Sequence, residues 1–132
     1  MKRYYLDTNF ILRFFLGDVP SQYEITKDFF ERAKRGELEL IVCQAVILEL
    51  DYILEKNYRL PRIETVTLLG RIVTTPYLKI EDKIAFQEGL IAFSHSSASL
   101  VDSFLFHKAQ LDDAAVLSFD KDIKKTPGRS KS

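Results

Sequence analysis

The chain has 132 residues, 46% hydrophobic and 29% charged, with Lys+Arg and Asp+Glu balanced at 19 each. That size and balance predict one folded domain and exclude a disordered chain or one with a global basic field, although a local patch is enough to bind a nucleic acid. The single cysteine, Cys43, excludes an internal disulfide, and with no signal pattern or membrane-length apolar run the expectation is a cytoplasmic protein without a membrane partner.

The apolar run Tyr4-Tyr5-Leu6 leads directly into Asp7, Thr8 and Asn9. It is too short for a helix and predicts a buried strand, with Asp7 where the strand leaves the sheet. Phe10 to Leu16 reads as a short buried helix ended by Gly17. A second helix follows to about Arg35, with Ser21 and Glu24 spaced as a capping box and Gly36 as its stop. Leu38 to Cys43 is continuously apolar at Leu40, Ile41 and Val42, as a strand covered on both faces requires. A helix from Ala45 to about Asn57 carries Glu49 among apolar neighbours, and Pro61 opens the next one, which ends at Thr75-Pro76.

Tyr77 to Ile80 reads as a third short strand, and Glu81 to Phe93 as an amphipathic helix. His95 to Ser99 is a loop or helix start before a helix over Leu100 to Leu111, with Asp102 in its first turn. Ala114 to Phe119 is expected to be the last strand and runs into Asp120; residues 121–132 are a polar, basic tail. The alternation of strand and helix predicts an α/β fold whose central, mainly parallel sheet of four or five strands is flanked by helices.

Parallel strands end on one edge, so Asp7 and Asp120 face the same crevice if their strands are neighbours, and ligands collect at that edge. Glu49 and Asp102 lie near the starts of helices, each able to project toward the same place. Each acid has a plainer use by itself. Asp7 and Asp120 fit helix caps or turns, and Asp102 is favourable at a helix N-terminus without any function. Glu49 is harder to dismiss, since no lysine or arginine lies three or four residues to either side. Four clustered carboxylates require a cation, and hard oxygen ligands select Mg²⁺ or Mn²⁺. Such a site grips phosphate oxygens and activates water for attack on phosphorus. His95, His107 and Cys43 need no catalytic role.

With Leu6-Asp7-Thr8-Asn9, Leu48-Glu49-Leu50, Val101-Asp102-Ser103 and Ser118-Phe119-Asp120-Lys121-Asp122 in this order and spacing, the chain resembles a PIN-domain ribonuclease, specifically a VapC-type toxin. The resemblance covers essentially the whole chain. It implies a metal-dependent endoribonuclease that leaves 5′-phosphate and 3′-hydroxyl ends, with Asp7, Glu49, Asp102 and Asp120 as catalytic and metal-binding residues. It further implies supporting roles for Thr8, Asn9 and Asp122, a cognate antitoxin protein and a homodimer. Ser99, also taken as supporting, stands where many relatives carry another acid, and Phe104, Leu105 and Phe106 where they usually have small residues. Arg13 and Lys121 are the candidates for contact with RNA phosphates. An aspartyl-phosphate enzyme would want a second Asp where Asn9 stands, and a receiver domain an Asp directly after the third strand. The remaining alternative is an inactive PIN-like scaffold that binds metal or RNA.

Overall fold

A computed structural model describes residues 1–119 of the chain. The order of elements is β1 (Lys2–Tyr5), α1 (Thr8–Leu16), α2 (Pro20–Lys34), β2 (Leu38–Val42), α3 (Gln44–Lys56), α4 (Arg62–Val73), β3 (Leu78–Ile80), α5 (Lys83–Ser94) and α6 (Leu100–Leu111). The strands form one parallel sheet in the order β1-β2-β3, with Tyr4 beside Leu40 and Leu40 beside Leu78. This is the expected α/β class, with helical crossovers joining the parallel strands. No helix among the described residues is long and apolar enough to cross a membrane.

β2 is the central strand and is buried along most of its length, which explains its unbroken apolar run. Its one charged residue, Glu39, accepts from Lys79 Nζ at 2.6 Å and Arg3 Nε at 2.5 Å, an ion ladder across all three strands. The Lys79 and Arg3 hydrogen bonds hold the Glu39 carboxyl below its ordinary value. The core gathers Ile11, Leu12, Phe30, Leu40, Leu50, Leu69, Phe86 and Leu100 against the sheet. α5 and α6 pack together through a stacked Phe86–Phe104 pair at 4.3 Å.

Gly17 ends α1 as its sequence suggests, in the left-handed conformation (φ 62) with its amide donating to Arg13 O. The capping box does not form. Pro20, with its ring-fixed φ, starts α2 one residue ahead of Ser21, so Val19 is the cap residue and no side chain caps the helix. α5 begins two residues later than expected, at Lys83, after Asp82 turns the chain with φ 56.

The expected sheet of four or five strands has three among the described residues, and Ala114–Phe119 is not one of them. This run follows Asp113, itself at φ 54, and its Leu117 and Phe119 are 98% and 105% exposed. A parallel strand draws its stability from burial on both faces, and here that burial is missing. Asp120, Lys121 and Asp122 lie outside the described residues.

Candidate active site

All three strands release the chain at one edge of the sheet. The ladder extends past β1 through Leu6 N to Ile41 O (2.9 Å) and past β3 through Glu81 N to Val42 O (3.0 Å). Asp7, Gln44 and Glu81 therefore leave the sheet at its carboxyl edge, the usual place for a ligand.

Asp7 is the N-cap of α1. Its backbone is extended, and Oδ1 accepts from Phe10 N at 2.9 Å. The capping role that its sequence position allows is thus real, yet it occupies one oxygen of an exposed carboxylate. The next residue, Thr8, is buried and donates its hydroxyl hydrogen to Glu49 Oε1. That bond ties the start of α1 to the second turn of α3. A carboxylate held by such a partner is oriented as well as placed. Asp7 also lines a cleft of about 250 Å³ shared with Tyr4, Tyr5, Phe10 and Phe29.

Asp102 sits in the first turn of α6 and is half-buried. Ser99 caps this helix, its Oγ accepting from Asp102 N at 3.1 Å, so Ser99 sets the backbone on which Asp102 is carried. α6 packs along α5 and also meets α3, the helix of Glu49. Asn9 is exposed in the first turn of α1. The structure thus joins Thr8, the residue beside Asp7, to Glu49, and caps the turn of Asp102 with Ser99. Among the described residues no three Asp, Glu, His or Cys side chains group closely enough to hold a metal together.

Arg13 makes two side-chain hydrogen bonds in the fold. Nη1 donates to Asp18 Oδ1 at 2.8 Å and Nη2 to the Tyr58 hydroxyl at 2.9 Å, leaving the side chain 17% exposed. It fastens the end of α1 to the segment behind α3. His107 is a buried core residue with Nδ1 2.8 Å from Ser103 O, and His95 is a surface residue.

Two polar groupings escape a reading of the sequence. In the first, Gln44 donates from its backbone to Glu81 Oε1 (2.8 Å) and from Nε2 to Asp82 Oδ2 (2.9 Å). Lys108 of α6 lies 3.1 Å from Asp82 Oδ1, so the segments that follow β2 and β3 are joined to the last turn of α6. In the second, Asp51 is pushed up to about 7, first by burial and then by the neighbouring Glu55 carboxyl. Glu55 is in turn paired with Arg62 at 3.5 Å. A signal for the second group is present: Asp51 and Glu55 are like charges four apart on one helix, and Arg62 is a cation in a first helical turn. Both are unfavourable unless tertiary partners compensate.

Asp7, Thr8, Glu49 and Asp102 offer carboxylate and hydroxyl oxygens, donor types that fit a hard divalent cation such as Mg²⁺ or Mn²⁺. A family model for the PIN domain matches residues 4–129. The chain is also similar to a VapC ribonuclease of Aquifex aeolicus (strain VF5), with 29% identity over 121 residues that make up 91% of this chain and 89% of that protein. No solved structure matches the chain significantly.

Proposed function

We propose a metal-dependent endoribonuclease activity on one premise: the chain belongs to the PIN-domain family. The observation that supports it best is the Thr8–Glu49 hydrogen bond, which brings a second carboxylate to the residue beside Asp7 at the carboxyl edge. Asp7, Glu49, Asp102 and Asp120 would hold Mg²⁺ or Mn²⁺. When bound, such a cation supplies Lewis-acid charge to phosphate oxygens and lowers the pKa of water. Thr8 orients Glu49, and Ser99 sets the turn that carries Asp102. Asn9 and Asp122 are assigned supporting places, and Lys121 a contact with RNA phosphate. The reaction is hydrolysis of an RNA phosphodiester to 5′-phosphate and 3′-hydroxyl ends.

The similarity to a VapC ribonuclease supports a narrower reading, the toxin of a toxin–antitoxin pair, held inactive by a cognate antitoxin and acting as a homodimer in the cytoplasm. A second reading is a scaffold that binds metal or RNA without cutting. Incubation of the purified protein with mixed structured RNAs decides between them. Cleavage with Mg²⁺ or Mn²⁺, none in EDTA, and recovery on adding excess Mn²⁺ is the expected result. Intact RNA throughout, from folded protein that binds Mn²⁺, would favour the scaffold.

A further inference from the structure

Arg62 opens α4, where the helix dipole disfavours a positive charge. Its guanidinium is held there by groups from two other helices and a loop. Nη1 lies 2.8 Å from Ser96 O, 3.1 Å from Ala98 O and 3.5 Å from Phe93 O. The guanidinium carbon stands 3.8 Å from the centroid of the Phe93 ring, and Nε is 3.5 Å from Glu55 Oε2. Phe93 belongs to the end of α5, and Ser96 and Ala98 to the loop that leads into α6. Ala98 is buried, and its amide donates to Ser96 Oγ at 3.0 Å, so the loop is folded against the body of the protein.

We infer that Arg62 is a positioning residue for Asp102, clamping the α5–α6 loop to the helix that carries Glu49. The inference rests on the proposed site. Ala98 is followed at once by Ser99, whose Oγ accepts from the amide of Asp102. A displaced loop therefore displaces the cap and with it the first turn of α6. Glu55 lies further along the same helix as Glu49. One planar group thus sets the segment before Asp102 relative to the helix of Glu49, two positions that a shared cation would need in register. Lysine can do this only in part. A point charge on a flexible stem lacks the plane that lies on Phe93 while donating to several carbonyls and to Glu55.

The test uses the full chain with Arg62→Met, which keeps an unbranched apolar stem, and Arg62→Lys. Amide hydrogen exchange is read without metal, and Mn²⁺ affinity and cleavage rate are read with it. Leu38→Ala, a buried change at the amino end of β2, is the control for plain destabilisation. Arg62→Met is expected to speed exchange over residues 98–103 and to weaken Mn²⁺ binding by about 10- to 100-fold, the usual effect of losing an outer partner of a metal ligand. Its kcat at saturating Mn²⁺ should stay close to that of the parent, Arg62→Lys should recover part of the affinity, and Leu38→Ala should leave affinity unchanged. Unchanged exchange and affinity in Arg62→Met overturn the inference, and so does an equal loss of affinity in Leu38→Ala. Asp102→Asn separates the two levels. If it loses Mn²⁺ while Arg62→Met does not, the inference alone falls. If it binds Mn²⁺ like the parent, the place of Asp102 in the site falls and takes the inference with it.

Discussion

Asp7→Asn is expected to lower RNA cleavage by about a thousandfold or more while leaving the fold intact. Asn caps helices as well as Asp does, so Phe10 N keeps its partner and α1 keeps its start. What disappears is one negative charge at the carboxyl edge, next to the residue that orients Glu49. Cation-based charge stabilisation contributes several kcal/mol to phosphodiester hydrolysis; losing about 4 kcal/mol of it corresponds to roughly a thousandfold in rate. Asp7→Ala should lose the same activity and, in addition, about 1 kcal/mol of stability through the missing cap. Comparing the two variants in cleavage and in urea unfolding separates chemistry from capping. Wild-type cleavage by Asp7→Asn would reduce Asp7 to a cap.

The largest loss of stability is expected from Phe30→Ala. Phe30 is 1% exposed, lies parallel to Phe14 with centroids 3.9 Å apart, and meets Phe15 and Tyr77 edge-on at 5.9 and 6.3 Å. It binds α2 to α1, the helix that Asp7 caps, and to the residue just before β3. Truncating a buried Phe removes its transfer free energy and leaves a cavity, together about 3–5 kcal/mol. That is a large share of the stability of a domain this size. By contrast Tyr5→Ala, at a residue 69% exposed, should stay within about 0.5 kcal/mol. Urea midpoints of both variants check the pair. Equal effects would mean that the aromatic cluster around Phe30 does not hold α1 in place.

Much of this architecture can be read from local pattern. The unbroken Leu40-Ile41-Val42 run reports a strand buried on both faces, and Gly17 and Gly36 mark positive-φ turns after α1 and α2. Asp7 is legible because a carboxylate after a strand has few uses, and the structure gives it the plainest one, a cap, while leaving an oxygen over. Ala114–Phe119 misleads for the opposite reason. Its composition is that of a strand, but composition cannot report whether a partner edge covers it, and Leu117 and Phe119 are fully exposed.

Other features are set by tertiary contact alone. No spacing rule links Thr8 to Glu49, 41 positions apart, or Arg13 to Tyr58, 45 apart. The same guanidinium that reads as a phosphate contact in sequence also bridges Asp18 and Tyr58 in the fold. Arg62 stands in sequence only as a cation in a first helical turn, unfavourable there without a partner. Only the fold shows that it gathers carbonyls from a loop more than thirty residues away.

The most direct test of a single acidic centre is titration of Mn²⁺ into the parent chain and into Asp7→Asn, Glu49→Gln, Asp102→Asn and Asp120→Asn, followed by calorimetry. Four carboxylates serving one centre predict that each change weakens the same binding event. A variant that binds Mn²⁺ with the parent's affinity would contradict that, and would remove its carboxylate from the centre.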